Sequence, residues 1–241
     1  MSNKPKFDFG DLAPEPSKSD FDKKIERTMD DYRTNKKPEL SFFRRPERMR
    51  AQNEIEEEIQ RDISIIEKGQ QCEDDVKYAL TYLPREKFRI LHNVFIYGKN
   101  ALGQDEAQEH DAIVITNNYI FDIEAKSVAG DMLTICPDSQ WEVKNGRRTY
   151  GIPNPVAQIE RHRTNLLSKL RKKDVQIIEL VVTNNERLLI RNEYGDLPYV
   201  FLKTDNLVNF ITEIAKDETN LSASSVLLVQ DIMSGKRPQK Y

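Results

Sequence analysis

The chain is short of the features that mark secreted, membrane-embedded or thiolate-metal proteins. It has two cysteines, Cys72 and Cys136, in 241 residues. Two are too few for a disulfide framework, and no Cys-x-x-Cys pair or Cys/His cluster gives a zinc-ligand spacing, so both are expected to be reduced thiols. No apolar run approaches the ~18 residues that a membrane span needs. The first stretch is strewn with Lys and Asp and lacks the apolar segment of a signal peptide. A soluble, cytoplasmic chain with no membrane partner is the expectation. An excess of one charge is missing too. The 37 Lys and Arg stand against 40 Asp and Glu, for a formal net charge of -3. Any nucleic-acid contact must therefore come from a local patch.

What is present is one domain's worth of chain with polar appendages. Residues are 38% hydrophobic and 32% charged, polar for a compact domain. Residues 1–45 carry Pro5, Pro14, Pro16 and Pro38 among many charges, with scattered aromatics such as Phe7, Phe21 and Phe43. This composition reads as a flexible arm; alternatively, its aromatics dock on the body of the chain or on a partner. Residues 46–68 read as an amphipathic helix, with Pro46 at its start and Ile55, Ile59, Ile63 and Ile66 in one stripe. Residues 1–68 are where self-association or a partner subunit is expected. Gly69 allows a break, and 71–83 forms a second helix with Val76, Leu80 and Leu83 buried. Glu73 lies three residues before Val76, on that face, while Asp74 and Asp75 fall toward water. An inward carboxylate is costly unless it is paired, protonated or bound to metal. The domain proper is expected at 69–236, with a tail at 237–241.

Strands are expected at 89–97, then, after a polar loop over 98–109, at 111–116 and 119–126. Short strands follow at 132–135 and 141–144. Asn154 caps a helix that begins at Pro155 and runs to about Leu170. An apolar strand over 175–183, buried on both faces, short strands at 188–191 and 199–203, and helices at 206–215 and 222–234 complete the chain. The order is that of an α/β sandwich built around one mixed sheet.

The chemistry concentrates in one hairpin. Asp111-Ala-Ile-Val-Ile-Thr116 and Tyr119-Ile-Phe-Asp-Ile-Glu-Ala-Lys126 alternate in polarity and are joined by Asn117-Asn118, a pair suited to a two-residue type I′ turn. Counting outward opposes Ile115 to Ile120 and Asp111 to Glu124. Opposed side chains share a face with Cβ atoms ~5 Å apart. Two carboxylates there repel, unless a hard cation such as Mg²⁺ sits between them. Alternation puts Asp122, Glu124 and Lys126 on one face, so a lysine stands beside the metal pair, able to orient water and stabilise a charged phosphate. Asp122 has three open readings: a second cation ligand, a partner for Lys or Arg, or a residue at a wet sheet edge. The same alternation points His110 away from Asp111, so His110 is left outside the site.

The ordered pieces Gly69-Gln-Gln-Cys-Glu-Asp-Asp-Val76, Leu83-Pro84, Asn93-Val94, His110-Asp-Ala-Ile-Val-Ile115, Ile123-Glu-Ala-Lys126 with Gly130 after it, Trp141 and Asn154-Pro-Val-Ala-Gln158 resemble the nuclease-related domain (NERD) family of the PD-(D/E)xK phosphodiesterase superfamily. The resemblance covers about residues 66–190. It implies a restriction-endonuclease-like mixed-sheet core flanked by helices, with the N-terminal extension outside it. It also implies roles: Glu73 as the helix-borne acid, Asp111 and Glu124 as ligands of Mg²⁺ or Mn²⁺, Lys126 as the catalytic lysine, and Gln158 as a polar residue near the site. Read without the family, Gln158 is a helix-surface glutamine.

Arg161, Arg163, Lys169, Arg171, Lys172 and Lys173, with Arg147 and Arg148, offer the best local phosphate-binding cluster; they read equally as a solvated basic surface. Two functions stay in view. One is a metal-dependent nuclease acting on DNA, or on RNA. The other is a nuclease-like module that binds nucleic acid or a protein without cutting.

Overall fold

The computed structural model describes residues 25–27, 29, 30, 34, 45–99, 105–170 and 174–233. The arm over 1–45, most of it, and the tail at 237–241 lie outside the described residues. The chain divides into two compact units, Met1–Gln71 and Cys72–Tyr241. Helix α1 (Arg45–Leu80) starts in the first, and its final stretch from Cys72 belongs to the second. It runs through Gly69 without the expected break. A helical glycine costs only about 1 kcal/mol, and Gly69 does not take the left-handed conformation that ends a helix. In the second unit, Cys72, Val76 and Leu80 recur at four-residue spacing as its buried face. Burial pushes the Cys72 thiol up to about 12, so it stays protonated and inert.

The second unit contains two sheets rather than one. Strands β1 (Arg89–Lys99), β2 (Asp105–Ile115), β3 (Tyr119–Ala125), β7 (Gln176–Thr183) and β9 (Val200–Lys203) form a five-stranded sheet in the order β1-β2-β3-β7-β9. β1, β2 and β3 pair antiparallel, while β3–β7 and β7–β9 pair parallel. Strands β4 (Met132–Ile135), β5 (Gln140–Asn145), β6 (Arg148–Pro153) and β8 (Leu189–Asn192) form a second sheet in the order β6-β5-β4-β8. The sheets are mixed and flanked by helices, which makes the class α/β. Helices α2 (Val156–Lys169), α3 (Thr204–Ile214) and α4 (Ala223–Met233) complete the described elements.

The expected polar loop over 98–109 is mostly strand. β1 continues to Lys99 and β2 begins at Asp105, with Phe95 opposite Glu109 and Gly98 opposite Glu106. Polar side chains extend a strand freely where the neighbouring backbone satisfies its N–H and C=O groups.

Alternation along β3 sorts the core. Phe121 and Ile123 join Val76, Leu80, Leu83, Leu207 and Ile211 beneath α1 and α3. Ile120 faces the other way, with Ile113, Ile115, Leu166 and Ile232, beneath α2 and α4. The second sheet has its own core around Leu133, Trp141 and Val143, to which α2 adds Ile159 and β7 adds Val181.

β3 leads into a loop that the second sheet holds closely. A Cβ at Gly130 would lie 2.4 Å from Val143 Cγ1 and 2.8 Å from the Lys144 carbonyl oxygen. Val143 is fully buried and has no room to yield. Gly130→Ala is expected to cost about 1–3 kcal/mol, read as a lower urea midpoint at unchanged slope. An unchanged midpoint would mean that the loop is free to shift.

Candidate active site

β3 lies between β2 and β7, and its register with both is fixed. Ile115 pairs with Ile120, Val114 with Phe121 and Ala112 with Ile123. This is the register counted from the hairpin, and it carries Asp111 opposite Glu124. The turn is of another kind. A type I′ turn puts both asparagines at positive φ, yet Asn93 is the one non-glycine residue with positive φ among the described residues. Thr116 supplies the reason. Its Oγ1 accepts N–H bonds from Asn118 at 3.3 Å and Tyr119 at 2.9 Å, closing the turn through a side chain. Asn117 is then free to accept bonds from Ser225 Oγ at 2.6 Å and the Ser222 N–H at 2.9 Å, which ties the hairpin to the start of α4.

On the other side, β3 runs parallel to β7, with Glu124 beside Val181 and Asp122 beside Glu179. The Lys126 N–H donates to the Val182 carbonyl at 2.8 Å, so the lysine backbone is set by the sheet although it lies one residue beyond β3.

Glu124, Lys126 and Gln158 form a closed triangle. Lys126 Nζ donates to Glu124 Oε1 at 2.6 Å and to Gln158 Oε1 at 3.2 Å, and Gln158 Nε2 donates to Glu124 Oε2 at 2.8 Å. Gln158 reaches the strand because α2 begins where it does. Asn154 Oδ1 caps the helix by accepting the Val156 N–H at 3.1 Å, and Asn154 Nδ2 donates to the Asp138 carbonyl at 2.9 Å. The expected cap thus acts, although the regular helix starts at Val156. Glu124 is 4% exposed, whereas the Lys126 side chain is 28% exposed. The lysine therefore marks the side of the site that solvent reaches.

Asp111 accepts the Ala125 N–H at 2.7 Å. Burial first, then the neighbouring Glu124 charge, push its carboxyl well above the usual carboxylate range. The Ala125 N–H bond pulls it back, and Glu73 adds a further upward push. Glu73 is half-buried and close enough for its charge to act on Asp111, as the helix count expects. Asp75 departs from that count. It is half-buried rather than turned to water, and it accepts a hydrogen bond from Asn184 Nδ2 at 2.8 Å.

Of the three readings open for Asp122, the wet sheet edge is excluded by its 4% exposure, and its neighbours are histidines, not Lys or Arg. Two histidines flank it. His110 Nδ1 lies 2.8 Å from Asp122 Oδ1, and His162 Nδ1 lies 3.6 Å from Asp122 Oδ2 and 4.0 Å from Glu124 Oε2. Burial pushes Asp122 up, but the charge and hydrogen bond of His110, with His162 adding to them, win and hold the carboxyl down at about 2. His110 is thus the buried partner of Asp122, beside the site and outside the Asp111–Glu124–Lys126 set. The β1–β2 ladder lacks the pair Asn93–Asp111, where Asn93 has a φ of 49°, and His110, the next residue along β2, bonds Asp122. His162 was legible by a different count. It lies one helical turn after Gln158 and so falls on the same face of α2.

The basic cluster separates. Arg163 Nη1 bonds both oxygens of the buried Glu179, each at 2.8 Å, so it balances an interior carboxylate instead of standing free for phosphate. Arg147, Arg148 and Arg161 are exposed and Lys169 is half-exposed. Arg171, Lys172 and Lys173 lie outside the described residues.

Residues 68–184 match the profile of the nuclease-related domain family. This stretch belongs to that family. The nuclease-related domain thus spans the end of α1, strands β1 to β7 and helix α2, with every residue of the Glu73–Asp111–Glu124–Lys126–Gln158 set inside it. The family falls within the PD-(D/E)xK-like nuclease superfamily. No curated protein and no solved structure gives a significant match to the chain. Among the described residues, no helix is long and apolar enough to cross a membrane.

The raised Asp111 carboxyl has a thermodynamic sign. A carboxyl whose folded-state pKa exceeds its unfolded one costs stability once the pH passes the unfolded range, and the cost grows as the pH rises through the folded value. Asp111→Asn removes that cost and keeps an oxygen for the Ala125 N–H. In chelator at about pH 8 the variant is expected to melt above the wild type, with the gap narrowing toward acid pH. Mg²⁺ at about 100 times its Kd should stabilise the wild type by about 2.7 kcal/mol and leave the variant unmoved. Equal melting of both proteins at every pH would rule out the repulsion.

Proposed function

We propose that the chain is a metal-dependent nuclease that hydrolyses phosphodiester bonds of DNA. One observation carries this reading: a pair of opposed carboxylates, Asp111 and Glu124, stands next to a lysine whose ammonium bonds Glu124 and whose side chain is partly exposed. The donor set fits a hard divalent cation, because both candidate ligands are carboxylates and burial first, then the Glu124 charge, push the Asp111 carboxyl up. Asp111 and Glu124 would hold Mg²⁺ or Mn²⁺, which would supply Lewis-acid activation of water and neutralise charge on the phosphate.

The remaining roles belong to the chain. Lys126 holds an ammonium against Glu124 and stabilises the charge that builds on the phosphate. Gln158 binds Lys126 and Glu124 together and so fixes the angle between charge and ligand. Glu73 contributes a further carboxylate from the end of α1 at the edge of the same site. Among the described residues of the basic cluster, Arg161, Lys169, Arg147 and Arg148 remain to hold the backbone of the nucleic acid, since Arg163 is engaged by Glu179.

Lys126→Ala and Glu124→Ala are each expected to lower cleavage by at least about 100-fold with the fold unchanged by circular dichroism. The assay offers linear, circular and single-stranded DNA and RNA, each with Mg²⁺, Mn²⁺ or EDTA. Undiminished cleavage by both variants sinks the proposal. Binding of nucleic acid without cleavage under every metal condition would replace it with the non-catalytic module.

A further inference from the structure

The chain has three histidines, and two of them meet at one buried carboxylate. His110 on β2, Asp122 on β3 and His162 on α2 are 0%, 4% and 2% exposed. One ligand atom from each can be chosen so that all lie within 4.8 Å of one another, and the two imidazole rings are 4.0 Å apart. The hydrogen bond between His110 Nδ1 and Asp122 accounts for one ring. It does not account for the other. His162 Nδ1 is 3.6 Å from Asp122 Oδ2 and 4.0 Å from Glu124 Oε2, too far for hydrogen bonding. Two ligands bound to one ion at about 2.0–2.2 Å stand about 3–4.2 Å apart, and the 3.6 Å between His162 Nδ1 and Asp122 Oδ2 falls in that interval. His110 Nε2 is buried without a hydrogen-bond partner, so its tautomer is left to whatever binds Nδ1.

We propose that His110, Asp122 and His162 form a second cation site, distinct from that of Asp111 and Glu124, which takes an imidazole-preferring transition ion of the Zn²⁺ class. Two imidazoles with one carboxylate favour such an ion over Mg²⁺, which prefers oxygen ligands and keeps much of its water. The burial of all three ligands leaves little room for substrate, so the ion serves structure. It ties α2 to β2 and β3 from a point next to Glu124 and thereby sets how α2 presents Gln158.

The site does not depend on the nuclease reading, and its test does not use cleavage. Full-length protein, stripped with chelator and dialysed, is titrated with Co²⁺ and Zn²⁺ in excess Mg²⁺. One equivalent per chain is expected, with the visible absorption of nitrogen-ligated Co²⁺. Asp111→Asn should keep that equivalent. His162→Gln should weaken it by more than about 100-fold, beyond the loss of an outer-shell partner. No binding by the wild type, equal binding by His162→Gln, or loss in Asp111→Asn would each overturn the proposal. Should His162→Gln fail to fold, X-ray absorption at the zinc edge of the wild type decides. Two imidazole nitrogens with oxygen support the site; sulfur or oxygen ligands alone refute it.

Discussion

The second unit is organised around the problem of keeping carboxylates inside a protein. Asp111, Asp122, Glu124 and Glu179 lie on three adjacent strands, and three of them are buried. An interior carboxylate is tolerated only with compensation, and each receives a different kind. Glu179 has the Arg163 guanidinium, Asp122 has two imidazoles, and Glu124 has an ammonium and an amide. Asp111 has a backbone N–H, and no cation pairs with it among the described residues. Its carboxyl is the one pushed well upward next to Glu124. The series therefore ends at the position with the greatest need for a cation.

Much of this compensation comes from a single helix. Gln158, His162 and Arg163 leave α2 within a turn and a half, and each reaches a different carboxylate on β3 or β7. The Asn154 cap and the packing of Ile159 and Leu166 hold that helix in register with the strands. A slip of α2 by one residue would strand several charges at once, which makes its placement far more exacting than that of an ordinary packing helix.

The hairpin was legible in the sequence because period-two alternation and loop length determine register, and register alone brings Asp111 opposite Glu124. The turn geometry was not, because the Thr116 hydroxyl provides a closure that the dipeptide Asn117-Asn118 does not announce. The pairing of His110 with Asp122 was not legible, because counting faces along β2 relates His110 to Asp111 and says nothing of its partner on β3. Gln158 was visible only through family resemblance, since half-burial against a lysine leaves no mark on helical periodicity. Three strands of the second sheet were expected, but β6, whose residues are nearly all exposed, was not, nor was the pairing of the four into a sheet of their own, which short strands do not announce. The helical count at Val76 turns Asp75 to water, whereas Asp75 is half-buried, as Glu73 is, and bonds Asn184, a contact that the count along α1 does not register.

The parallel pairing of β3 with β7 also bears on the order of events in folding. Three strands of the second sheet and the whole of α2 intervene between the two, so their ladder closes a long loop, the slow kind of contact to form. During synthesis, β2 and β3 emerge with Asp111, Asp122 and Glu124 already close together, while Gln158, His162 and Arg163 are still to be made. The nascent hairpin carries its mutual repulsion unrelieved except by Lys126 and His110. Maturation of this region thus waits on a helix translated later, and that helix arrives as the counterweight that lets the acidic hairpin settle.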